Sequence, residues 1–141
     1  MEINFYTEGV ELPINNPEEK KDWIRRVIAS HGKRTGTISY VFCNDEKILA
    51  VNNEFLKHNY YTDVITFDYC KGKLVSGDIY ISTDTVESNS KLFKTDYKEE
   101  LDRAIIHGIL HLCGINDKGP GEREIMEVEE NKALDLRVKM Q

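Results

Sequence analysis

The sequence predicts a small mixed β-sheet flanked by about five helices, an α/β (α+β) layer structure carried by one domain over residues 1–141. Stretches with the two-residue period of strands alternate with stretches of helical period in the first half of the chain. A Lys71-Gly-Lys turn joins two adjacent strands. Helical periods alone fill the C-terminal part, so the order reads βαβαββααα. A length of 141 residues can bury a conventional core without disulfides, and no linker, repeat or low-complexity stretch divides it.

Residues 3–6 (Ile-Asn-Phe-Tyr) alternate as a short strand. Asn16-Pro17 then offers an N-cap and a first-turn proline, and Trp23, Val27 and Ile28 make an apolar stripe running to Gly32, a helix of about four turns. Ile38, Tyr40, Val41 and Phe42 mark a strand over 36–43. Asn44 or Asp45 caps the next helix through Ile48, Leu49 and Phe55. Residues 62–68 and 76–82 are the two strands joined by the lysine-rich turn and are expected to be antiparallel. Thr83 or Asp84 caps a short helix to Phe93, and Thr95 or Asp96 caps a long one to Cys113 whose core stripe is Leu101, Ile105, Ile109 and Leu112. The last helix, 122–138, opens acidic and closes with Arg137 and Lys139, matching its dipole.

The long helix ends in His107-Gly-Ile-Leu-His111-Leu-Cys-Gly114-Ile-Asn-Asp117. Histidines four apart lie about 40° apart around a helix, so both rings leave one face. Such a pair can serve as core or capping residues. Here Gly114 suits the left-handed turn that ends a helix, and Asp117 then returns as a third ligand, the His-x-x-x-His-x-x-Gly-x-x-ligand spacing of zinc hydrolases. Three protein ligands with an open position describe a catalytic zinc, one Zn²⁺ per chain; a structural zinc needs four. Zinc peptidases carry a glutamate base after the first histidine, and this chain has Gly108. A peptidase lacking that base is therefore the weaker alternative.

Cys43, Cys70 and Cys113 lack Cys-x-x-Cys spacing and are read as buried thiols. No apolar run spans a bilayer and Met1-Glu-Ile-Asn does not resemble a secretory leader, so a cytoplasmic protein without membrane partners is expected. A net charge of −6 argues against a generic nucleic-acid coat. The local exception is residues 17–34, where Lys20, Lys21, Arg25, Arg26, Lys33 and Arg34 outnumber Glu18, Glu19 and Asp22. Within it Arg25 and Arg26 are the candidate substrate contacts, against the plainer reading of a solvated helix face.

The motif resembles that of the YbeY-type rRNA maturation factors, bacterial metal-dependent endoribonucleases. So do Val51-Asn-Asn, Thr62-Asp-Val-Ile-Thr-Phe67, Gly77-Asp-Ile and Glu124-Ile-Met126, and the likeness runs from about residue 36 to the C-terminus. The resemblance implies hydrolysis of RNA phosphodiester bonds in rRNA maturation and quality control of the small ribosomal subunit. Ribosomal RNA and that subunit are then the partners, and DNA is not expected. The implied metal ligands are His107, His111 and Asp117.

Two departures from the family pattern stand out. The family motif ends in Asp-His, and this chain has Asn116-Asp117, so its third ligand is a carboxylate and a zinc site would carry net +1 rather than +2. The family's arginine before Thr-Asp-Val is Leu56 here. Lys57 and His58 are the candidates to replace it at the phosphate, although a lysine cannot copy a bidentate guanidinium. No general base is identified. Asp63 and Asp78 either orient the histidines or serve as turn and strand residues. A non-catalytic assembly factor, with metal only fixing the C-terminal loop, is the other alternative.

Overall fold

The computed structural model describes residues 1–56 and 62–140. Their order is β1 (Ile3–Glu8), α1 (Pro17–Ser30), β2 (Arg34–Cys43), α2 (Asp45–Leu56), β3 (Val64–Asp68), β4 (Leu74–Ser82), α3 (Thr83–Leu92), α4 (Tyr97–Leu112) and α5 (Glu122–Lys139). This is the βαβαββααα order expected from the periodicities. The sheet runs β1-β2-β4-β3, with β1 parallel to β2, β2 parallel to β4, and β3 antiparallel to β4. It is a mixed sheet because the short Lys71-Gly72-Lys73 turn between β3 and β4 forces reversal, whereas β1 and β2 are joined through α1, and β2 and β4 are separated by α2 and β3, connections long enough for parallel pairing.

Alternation divides the sheet's residues between two faces. Ile38, Tyr40 and Phe42 of β2 and Val75, Ile79 and Ile81 of β4 are buried in the main core with Trp23, Ile24 and Ile28 of α1 and Ile105, Ile106 and Ile109 of α4. On the other face a smaller cluster of Cys43, Ile48, Val51 and Ile65 packs with Phe67 and Tyr80 beneath α2. The two large polar-tipped aromatics of the main core are satisfied internally. Tyr40 donates to the carbonyl of Ile105 at 2.8 Å and Trp23 Nε1 to that of Ala133 at 2.9 Å, so each also ties separate elements together.

Helix α4 is buried on more than one face. A β-carbon at Gly108 would lie 2.9 Å from Ile79 Cγ2, so glycine lets the helix press on β4. Position 108 thus faces the sheet, and a glutamate there would meet Ile79 on that side.

Three helix starts differ from expectation. Ser82, the last residue of β4, caps α3 by accepting from the Thr85 amide, in place of Thr83 or Asp84. Its hydroxyl is free to do so because Asp45 holds its proton at 2.6 Å. Asn16 and Asp96 occupy N-cap positions without a side-chain capping bond. Asn44 does cap α2, accepting from the Lys47 amide at 2.9 Å.

Cys43 and Cys113 are buried and Cys70 half-buried, all free. Burial pushes the Cys43 thiol up to about 12 and the Cys113 thiol up to about 11, which leaves both protonated and unreactive. No helix among the described residues is long and apolar enough to cross a membrane.

Candidate metal centre

The last two turns of α4 carry His107 and His111, both half-buried, and the rings stand edge to face with centroids 4.6 Å apart. The helix then stops in a Schellman turn. The Gly114 amide donates to the His111 carbonyl at 3.0 Å and the Ile115 amide to the Leu110 carbonyl at 3.0 Å, with Gly114 at φ +98. A side chain with a β-carbon is strained there, so glycine makes the reversal that returns residues 115–117 to the histidine face.

Asp117 arrives between the rings. The two Nε2 atoms are 3.1 Å apart, and Asp117 Oδ2 lies 3.4 Å from that of His107 and 3.5 Å from that of His111. Three ligands of a tetrahedral zinc, at bond lengths of about 2.0–2.1 Å, sit about 3.3–3.4 Å from one another. The triangle matches that spacing, and its donor set of two imidazoles and one carboxylate suits zinc.

A fourth residue completes the arrangement. His107 Nδ1 lies 2.7 Å from Glu130 Oε2, on α5, and so donates there, which leaves the Nε2 lone pair directed at the triangle. The other Glu130 oxygen takes Arg103 at 2.8 Å, and Arg103 also donates to Asn131 at 2.9 Å. His107, Glu130, Arg103 and Asn131 thus form one chain of hydrogen bonds behind the triangle.

The family described as Endoribonuclease YbeY matches residues 3–137. The chain belongs to that family. A Bacteroides fragilis protein named Endoribonuclease YbeY is 61% identical over 137 residues, covering 97% of this chain and 99% of the relative. A Porphyromonas gingivalis protein of the same name is 52% identical over 132 residues, covering 94% and 87%. The solution structure of a Thermotoga maritima protein matches with a TM-score of 0.68 at 25% identity, over 96% of this chain and 88% of that one. As a member of the YbeY family the chain is a metal-dependent, RNA-cleaving hydrolase.

Electrostatics separates the two histidines of this YbeY-family site. Burial lowers the pKa of His107, but the hydrogen bond and charge of Glu130, helped by Asp63 and Asp117, outweigh it and the net shift is upward. His111 is lowered by burial and by the neighbouring His107, with Asp117 only partly offsetting them. Glu130 resists its own burial because His107 and Arg103 hold its carboxyl below the usual range.

The other sequence-derived candidates fare differently. Lys57 and His58 lie outside the described residues. Leu56 ends α2, 39% exposed. Arg25 and Arg26 are on the exposed side of α1, Arg26 with its Nε 3.3 Å from Asp22. Asp78 accepts from the Tyr69 hydroxyl at 3.2 Å, and Asp63, whose carbonyl accepts from the Ser82 amide at 2.9 Å, acts on His107 through its charge; among the described residues no hydrogen bond joins either carboxylate to a histidine. Glu130 orients His107 instead. It was missed because it lies 23 residues downstream on another helix. Nothing in the local sequence distinguishes it from Glu127 or Glu129.

Proposed function

We propose that this chain hydrolyses phosphodiester bonds of ribosomal RNA at one zinc ion per chain held by His107, His111 and Asp117, acting in the cytoplasm as one domain in maturation and quality control of the small ribosomal subunit. The observation that carries the reading is the triangle of 3.1, 3.4 and 3.5 Å between two imidazole nitrogens and a carboxylate oxygen, with His107 held from behind by Glu130. Family membership supports RNA as the substrate.

When bound, zinc supplies Lewis acidity toward a phosphoryl oxygen and acidifies water near neutral pH. The chain's own residues do the rest. Glu130 keeps the Nδ1 proton of His107 in place and the ring in one orientation, and Arg103 keeps Glu130 ionised. Asp117 brings the third ligand atom, the one oxygen beside two nitrogens, and one negative charge. That charge makes the centre less acidifying than an all-histidine one. Lys57 and His58, which follow Leu56 in sequence, are proposed to offset the charge that develops on the phosphate, and Arg25 and Arg26 to make outer backbone contacts. A base is not supplied by position 108, because that position faces Ile79. The peptidase alternative therefore gains nothing from the fold.

Elemental analysis of the purified protein, paired with cleavage of a small-subunit rRNA fragment before chelation, after chelation and after zinc is restored, tests this reading. Stoichiometric zinc and chelator-sensitive cleavage are expected. Cleavage that survives chelation would overturn it.

A further inference from the structure

The basic run at residues 17–34 does not survive folding as one surface. The Lys20 ammonium contacts Asp102 at 2.6 Å, Lys21 lies 3.5 Å from Glu18, and Arg26 lies 3.3 Å from Asp22. A cation already paired with a carboxylate has less to offer a phosphate. Lys33 and Arg34 lie beyond the end of α1 and form no ion pair among the described residues.

At this point the fold adds neighbours that sequence order hides. The Arg34 amide donates to the Lys73 carbonyl at 2.8 Å, and Arg34 pairs with Leu74 across β2 and β4. The hairpin turn Lys71-Gly72-Lys73 therefore sits beside Arg34. Both lysines are exposed, and neither forms an ion pair among the described residues. Tyr69 precedes the turn, its hydroxyl held by Asp78 and its side chain 55% exposed. The nearby Asp68 carboxylate accepts from the Cys70 amide at 2.8 Å, within its own turn.

This end of the sheet abuts the end of α4 that carries the metal centre. The Cys70 thiol donates to the Leu112 carbonyl at 3.4 Å, and Leu112 directly follows His111. Lys33 is close enough to act on the Cys70 thiol.

We propose that Lys33, Arg34, Lys71 and Lys73 form a phosphate-binding edge, with Tyr69 as a base-stacking ring, that holds single-stranded RNA running toward the metal centre. The proposal rests on the RNA-hydrolysis reading and names where the strand lies. In a chain of net charge −6, long-range attraction to RNA is weak, so binding requires a local group of cations that the fold has not neutralised. Lysines act as point charges and read no sequence, which suits holding a strand rather than choosing a cleavage site. An exposed aromatic ring beside them is the usual companion in single-strand binding.

The test uses the zinc-loaded protein and a fluorescein-labelled, cleavage-resistant phosphorothioate RNA strand, with anisotropy measured over a salt series. Wild type is compared with Arg34→Gln/Lys71→Gln/Lys73→Gln and with Arg25→Gln/Arg26→Gln, each checked for folding by thermal melting. The first variant should flatten the dependence of log affinity on log salt by about 2, at about 0.7 per contact removed, and weaken binding on the order of 50-fold at physiological salt. Lys71→Gln/Lys73→Gln alone, confined to an exposed turn, should show about two-thirds of that slope change and covers the case in which Arg34→Gln unfolds the chain. Tyr69→Leu should weaken binding about tenfold with the slope unchanged. An unchanged slope in the hairpin variants while wild type binds, or a loss carried by Arg25 and Arg26 instead, overturns the proposal and leaves the RNA-hydrolysis reading intact. A wild-type protein that shows neither salt-dependent RNA binding nor cleavage overturns both.

Discussion

Helix α4 carries two clusters of charged or ionisable side chains, one in each half, and they are built to opposite ends. In the first half Asp102 is buried and receives Lys20 and Arg137, one on each oxygen at 2.6 Å, with Arg137 also held by Glu99 at 2.8 Å. Acceptors and donors match there, and α1, α4 and α5 are locked together. In the second half Glu130 is likewise matched, by Arg103 and His107, but the atoms beyond it are not. Two imidazole nitrogens and a carboxylate oxygen converge within 3.5 Å. Such acceptors repel unless a proton or a cation lies among them. A closed cluster stabilises the fold, whereas a convergent one stores a demand for a cation, and that demand is what a metal site requires.

The sharpest way to break the contrast is to remove a ligand. His107→Ala or His111→Ala should abolish stoichiometric metal binding and metal-dependent cleavage while leaving the chain folded. Full zinc occupancy in either variant, by elemental analysis, would remove that histidine from the site. The matching change in the closed cluster is Asp102→Ala. It should destabilise the fold by about 3 kcal/mol, the low end for breaking a buried pair. The low end applies because the Lys20 and Arg137 side chains are 22% and 23% exposed and can rehydrate. Denaturant unfolding measures this, and zinc stoichiometry should not change. Loss of zinc in that variant would show that the halves of α4 are not separable.

Smaller changes grade the convergent cluster. Glu130→Gln keeps size but loses the charge that holds the Nδ1 proton, and should weaken metal affinity by roughly tenfold to a hundredfold. Asp117→Asn should exceed that, because the anionic oxygen itself is lost, and Asp117→His should keep the metal and move the cleavage optimum to lower pH as the net charge rises. Competition titrations order the three. An Asp117→Asn affinity equal to wild type would exclude Asp117 as a ligand.

The smallest effect lies in the metal-free protein. His111 is depressed in the folded state, so stability should rise with pH up to its unfolded value of 6.5. His107 is raised, so its contribution is complete below 6.5 and is lost as pH climbs through its higher folded value. Together they give a stability maximum near 6.5 that zinc should erase. Thermal melts of chelated and zinc-loaded protein across this range decide it; a monotonic profile without zinc would contradict the assigned shifts.

The element order, the antiparallel hairpin and the His107, His111, Gly114 and Asp117 spacing were legible along the chain because each depends on residues within a few turns of one another. A 3.6-residue period puts two histidines on one face, and glycine at a helix end permits the reversal that returns an aspartate to them. Ser82 was missed as the cap of α3 by a single residue, because its capping role depends on Asp45, 37 positions away, holding its hydroxyl. Glu130 was invisible for a similar reason: nothing local distinguishes it from Glu127 or Glu129 until α5 packs on α4. The basic run at 17–34 is divided by folding, since Lys20, Lys21 and Arg26 acquire carboxylates from Asp102, Glu18 and Asp22 while Arg34 gains the Lys71–Lys73 turn as a neighbour. Local periodicity decides which atoms a helix turns to one side. Which charges then remain unpaired is a long-range matter of packing, and only the tertiary structure decided it.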